Sequence, residues 1–156
     1  MHALEGVMSH VFADLNEIYF AGLFRRLAAI VYDSLLLGAI FMLLGFIGVA
    51  FTDGEANEHL LFKLLVWIVP FLFYGYFWRK AGQTLGMLAW RIRVQTPQGQ
   101  PINAKQTFLR LVGGILAWGC LGLGFLWLFI DKGKRTWPDI LSGTQVVVVP
   151  KKKKKA

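Results

Sequence analysis

Two stretches of this chain, Leu35 to Phe51 and Leu64 to Trp78, contain no charged residue. A soluble helix of that length needs a polar face, and neither stretch supplies one. Crossing a bilayer takes about 20 predominantly apolar residues. Leu27 to Phe51 and Leu60 to Trp78 both meet that length, and so does Phe108 to Ile130. The composition agrees: 56% of residues are hydrophobic and 17% charged, against roughly half and a quarter in a soluble domain. The reading is an all-α polytopic membrane protein.

The formal net charge is +8, but the basic residues flank the apolar runs instead of lining one face, and no nucleic-acid motif is present. Nucleic acid is therefore not expected as a partner. The lone Cys120 sits in an apolar run and is expected to be a small buried hydrophobe. Met1 to Gly22 carries Glu5, Asp14 and Glu17 without a basic start, so it does not read as a signal peptide. Val7, Val11, Leu15, Ile18 and Tyr19 share one helical face, which predicts an N-terminal amphipathic interfacial helix within residues 1–24.

The charge distribution predicts the orientation. "TDGEANEH", after the first span, has acids and no Lys or Arg; the segment from Arg79 to Arg110 has six basic residues and no acid. By the positive-inside rule the second segment is cytoplasmic, with Arg25 and Arg26 on the same side. Within it, Thr84 to Ala89 predicts a short helix, and "WRIRVQT" alternates as a strand closed by the turn "PQGQP". The third apolar run holds Gly113, Gly114, Gly119, Gly122 and Gly124. Each glycine weakens a helix by about 1 kcal/mol relative to alanine. A helical hairpin, broken near Gly119–Gly124, is expected, with the break buried because irregular backbone at membrane depth must be covered. It would return Lys132, Lys134, Arg135 and the lysine tail to the cytoplasm. It would also let "TQVVVVP" pair with "WRIRVQT" as a small cytoplasmic two-stranded β element. A single crossing with a basic exterior tail is the alternative. Both termini are then placed on the cytoplasmic side of a multi-pass inner-membrane protein.

"FRRLAAIVYD" puts Asp33 inside the first span, seven residues after Arg26 and on the same helix face. The axial separation of about 10 Å is too long for an easy direct pair, so Asp33 needs another partner. Arg110, at a similar depth in the third segment, is the expected counter-ion. Charges in a span mark pathways or relays more often than not, yet a buried pair can serve packing alone. Unpaired, Asp33 could cycle a proton; paired with Arg110, it would stay ionised. The polybasic tail Lys151, Lys152, Lys153, Lys154 and Lys155 offers contact to anionic lipid at about 1 kcal/mol per lysine, or is a solvated tail, so residues 150–156 are set apart. The histidines are dispersed without metal-ligand spacing and no nucleophile has a base nearby in sequence. No enzyme activity, cofactor or metal is expected.

The blocks "YFAGLFRRLAAIVYD", "GQTLGMLAWRIRVQTPQGQP", "GLGFLWLFID" and "WPDILSGTQVVV" together resemble the RDD family of small bacterial membrane proteins. The resemblance makes residues 25–149 one transmembrane domain. The family's name refers to an arginine and two aspartates, which fall on Arg26 (or Arg25), Asp33 and Asp139. Where the family usually has a His-Asp pair, this chain has Pro138 before Asp139. The family pattern implies that Asp139 reaches Arg25 or Arg26; local pairing with Lys132, Lys134 and Arg135 is the other reading. Transport has been proposed for the family, so the expected function is movement of a small ion or solute, with or without a coupled proton. A homo-oligomer would supply the walls that so small a chain lacks. The rival reading is a non-transporting scaffold in which the same charges specify packing.

Overall fold

The computed structural model describes residues 19–52 and 59–150. The expected interfacial helix up to residue 18, the acidic loop at 53–58 and the lysine tail lie outside the described residues. The elements in order are α1 (Leu23–Ala50), α2 (Leu60–Lys80), α3 (Leu85–Ala89), β1 (Ile92–Gln95), α4 (Ala104–Gly119), α5 (Leu123–Leu126) with a 3-10 turn at Trp127–Phe129, α6 (Trp137–Ser142) and β2 (Gln145–Val148).

Helices α1 and α2 are long and apolar enough to cross a membrane. They bury little within the chain: Trp78 is the one buried residue of α2, and the buried residues of α1 lie mostly in its first half. Large side chains such as Leu61, Trp67, Phe46 and Leu43 stay on the outside, where an apolar solvent would suit them. The buried core lies instead at one end, where Ala21, Ala29, Trp78, Met87, Ile92, Val94, Ile102 and Val146 pack together.

That end is organised by β2. β1 and β2 pair antiparallel with Ile92 opposite Val148 and Gln95 opposite Gln145, as expected for "WRIRVQT" and "TQVVVVP". A third partner was not expected. Phe20 bridges Val147, the Ala21 amide donates to the Val146 carbonyl at 2.9 Å, and the Val148 amide donates to the Tyr19 carbonyl at 2.7 Å. Residues 19–22 are therefore extended, not the last turn of an amphipathic helix, and α1 starts at Leu23. The competing force is the free edge of β2, whose backbone groups need partners.

Helices α4 and α5 meet at a bend of 109°. Leu121 and Gly122 turn the chain with positive φ, 56° and 81°; glycine takes that conformation without strain, whereas leucine does not. The break is not buried as expected: Leu121 is 93% exposed and Cys120 is exposed, not a buried hydrophobe. Its backbone is satisfied another way. The amides of Cys120, Leu121, Gly122 and Leu123 donate to Leu116, Trp118, Ala117 and Cys120 carbonyls at 2.9–3.1 Å. Local turn bonds replace burial, which meets the same requirement that no amide be left unpaired.

Two close approaches tie the remaining elements together. A Cβ on Gly86 would collide with the Ala29 carbonyl and lie 3.0 Å from Tyr32 Cβ, so α3 lies hard against α1. A Cβ on Gly113 would lie 2.8 Å from Pro138 Cα, so α6 crosses α4 at that point.

Candidate functional site

Helix α1 presents Arg26 and Asp33 on its inner face, 6% and 2% exposed. They serve two different neighbourhoods. Arg26 Nη1 meets Asp139 Oδ2 at 2.5 Å, its Nε donates to the Ala21 carbonyl at 2.9 Å, and its Nη2 donates to the Lys134 carbonyl at 3.3 Å. The second arginine on Asp139 is Arg110, whose Nη1 lies 2.8 Å from Oδ1 and also donates to Thr144 Oγ1.

Asp139 is held ready for both. Thr136 caps α6, and its backbone amide and hydroxyl reach Asp139 Oδ2 at 3.0 and 3.1 Å. The Ser142 and Thr144 hydroxyls, 2.6 Å apart, close the other side. The result joins α1, α4 and α6 through one carboxylate. Burial alone would push that carboxyl's pKa up, but the Arg26 and Arg110 guanidinium charges hold it below the ordinary carboxylate value.

The structure corrects the expected partner of Asp33. It is not Arg110. Thr84 Oγ1 donates to Asp33 Oδ2 at 2.5 Å and the Gly86 amide donates to Oδ1 at 2.9 Å. Thr84 is the N-cap of α3 and also accepts from the Met87 amide, so Asp33 anchors the start of that helix. Arg110 is turned to Asp139, with its guanidinium carbon 5.2 Å from the ring centroid of Trp78. Arg25 is exposed, and Lys151 to Lys155 lie outside the described residues. Asp131 pairs with Arg135 at 3.0 Å; the hydrogen bond from Arg135 comes first among the effects that bring its carboxyl down to about 2.

Thr84, Gly86, Thr136 and Thr144 were not singled out in the sequence, though two carried a signal. "TWPD" has the spacing of a capping box, and Thr84 stands just before a short apolar helical stretch, both marks of an N-cap. Nothing in sequence marks Thr144. Between the two neighbourhoods lies a cavity of about 410 Å³, lined by residues of α1, α2, α3, α4, α6 and both strands and by Phe125 of α5. Arg26, Asp33 and Arg110 reach it alongside Ile30, Trp78, Met87, Leu111 and Ile115. Among the described residues, no three His, Cys, Asp or Glu side chains are grouped to hold a metal ion.

These features define a small, mostly helical protein: two helices long enough for a bilayer, a sharply bent helix pair, and a sheet-capped end holding buried arginines and aspartates. The chain belongs to the RDD family, whose model matches residues 20–143. No curated protein and no solved structure matches it.

Proposed function

We propose that this chain is an inner-membrane protein that moves a small ion or solute by way of the cavity at its charged end. The observation that carries the reading is the cavity itself. Its size and its apolar walls with a few polar groups are those of a small-molecule site, and two arginines and an aspartate line it. The reading is non-enzymatic.

The membrane arrangement rests on length and on the sheet. α1 has 28 residues, about 42 Å of helix, against a hydrocarbon core of about 30 Å. With Ala50 at the far edge, the first turns project from the core and Asp33 lies just inside it, where a charge costs far less than at the midplane. β2 hydrogen-bonds both to β1 and to the segment before α1, so all three stand on one side. Two crossings by α1 and α2 satisfy that; the bent α4–α5 pair then enters and leaves from the same face. Arg79, Lys80, Arg91, Lys105, Lys132, Lys134 and Arg135 gather there, which makes it cytoplasmic. The apolar outer faces of α1 and α2 meet lipid or a second copy of the chain, and a homo-oligomer would complete the walls of a path.

The scaffold reading keeps one specific support: Arg26 and Asp139 are already engaged within the chain, as packing charges would be. Flux in proteoliposomes separates the two. Solute or ion flux by the wild type, abolished in Asp33→Asn that still elutes as a folded protein, supports transport. Silence of the wild type toward every species tried, with Asp33→Asn only destabilised, supports the scaffold.

A further inference from the structure

Two hydrogen-bond donors on the cavity residues have no acceptor among the described residues. Arg110 Nε and Trp78 Nε1 are both buried, and neither has a partner among the described residues. Arg110 is 7% exposed and Trp78 8%, and both line the cavity. They lie together, the guanidinium over the indole ring. Buried donors without acceptors are uncommon in folded proteins and ask for an explanation.

Charge points the same way. Arg26 and Arg110 share the single carboxylate of Asp139, so neither guanidinium has a carboxylate to itself among the described residues. The other acid on the cavity, Asp33, is turned to Thr84 and Gly86 with both oxygens and pairs with neither arginine. The rest of the wall is apolar, with Ile30, Leu111, Ile115 and Phe125 among its residues. By proportion to a cavity of about 150 Å³ that holds benzene, 410 Å³ has room for about sixteen non-hydrogen atoms.

Resting on the transport reading, we infer that the cavity binds a monocarboxylate with an apolar body of about a dozen heavy atoms, its carboxylate oxygens accepting from Arg110 Nε and Trp78 Nε1. A carboxylate has two acceptor oxygens for two donors on different side chains, and its charge makes the bond to the guanidinium a charge-assisted one. A phosphate would bring no apolar body to the apolar wall. A neutral amide would offer the guanidinium only the weaker, uncharged bond. The carboxylate could come from lipid, as a medium-chain fatty acid, or from water, as a free aryl-alkanoic acid.

Calorimetric titration of the nanodisc-embedded protein tests this with 4-phenylbutanoate, 4-phenylbutanamide and inorganic phosphate, and with dodecanoate delivered from vesicles. Binding of either carboxylate, with the amide at least about tenfold weaker and phosphate silent, is the expected result. Which carboxylate binds tells the source. Trp78→Phe keeps an aromatic face beside Arg110 but removes the N–H, and is expected to weaken carboxylate binding about tenfold; Arg110→Lys is expected to do the same if it folds. Equal binding of amide and carboxylate, binding of phosphate alone, no binding at all, or full affinity in Trp78→Phe would overturn the assignment. The transport reading fails separately: carboxylate that binds but is never moved in proteoliposomes sinks it while leaving the site, and flux of another ion without carboxylate binding does the reverse.

Discussion

Asp139 concentrates the energetics of the charged end in one side chain. Its carboxylate accepts from two guanidiniums and from Thr136 while fully buried. Removing one partner of such a group leaves the others desolvated and uncompensated, at about 3–5 kcal/mol. Asp139→Asn is therefore expected to lose that much stability in a denaturant melt in mild detergent, and Arg26→Lys, which cannot reproduce the fork of contacts, a large part of it. The pH dependence follows from the same carboxyl. Its folded pKa lies below the ordinary 3.8, so its contribution is complete above about pH 4 and is lost as pH falls through the folded value. Melting temperature should hold steady from pH 7 toward 4 and drop below it, with a shallower drop in Asp139→Asn. Sequence alone pointed to Arg26, Asp33 and Asp139 as residues of interest; the family pattern sent Asp139 to Arg25 or Arg26, and it meets Arg26, but Asp33 was given the wrong partner. Arg26 and Asp33 share a helix face, which is legible from spacing; that Arg110 turns to Asp139 depends on the crossing of α4 and α6, which spacing does not encode.

The elements meet through small residues, and this gives a clean pair of variants on one helix. Gly113 faces Pro138 Cα at a distance a methyl group cannot tolerate, whereas Gly114, its neighbour, has nothing within 4 Å of an added Cβ. Gly113→Ala should force α6 away from α4, cost about 1–3 kcal/mol and loosen Asp139. Gly114→Ala should be neutral or stabilising by up to about 1 kcal/mol through helix propensity. Thermal melts of the two purified variants check both directions. Equal effects would contradict the packing described. The elements themselves were readable: charge-free runs gave α1 and α2, alternation gave β1, "TQVVVVP" gave its partner β2, and clustered glycines located the break in the third run. What was not readable was how the break satisfies its backbone. Burial was the expected route, but turn hydrogen bonds around Leu121 and Gly122 do it with the side chains exposed. Nor did the helical periodicity before Gly22 reveal that residues 19–21 would join β2, because an edge strand attracts partners through backbone groups that leave no mark in composition.

At the scale of the whole molecule, one sheet joins three distant parts of the chain: the segment entering α1, the basic stretch after α2, and the strand after α6. In the proposed membrane arrangement this puts all three at the same face. If that holds, the α4–α5 pair cannot cross, and the cavity with its arginines opens toward the cytoplasmic half of the protein. The most direct measurement is cysteine accessibility in intact cells, on a Cys120→Ser background, with a membrane-impermeant maleimide. Single cysteines at Glu55, Arg91 and Lys132 report the acidic loop, the basic stretch and the segment after the bend. The account predicts labelling of the cysteine at 55 from outside, with those at 91 and 132 labelled only after the membrane is opened. Labelling at 132 in intact cells, with 91 protected, would mean that α4 and α5 cross as one broken span, and would contradict it.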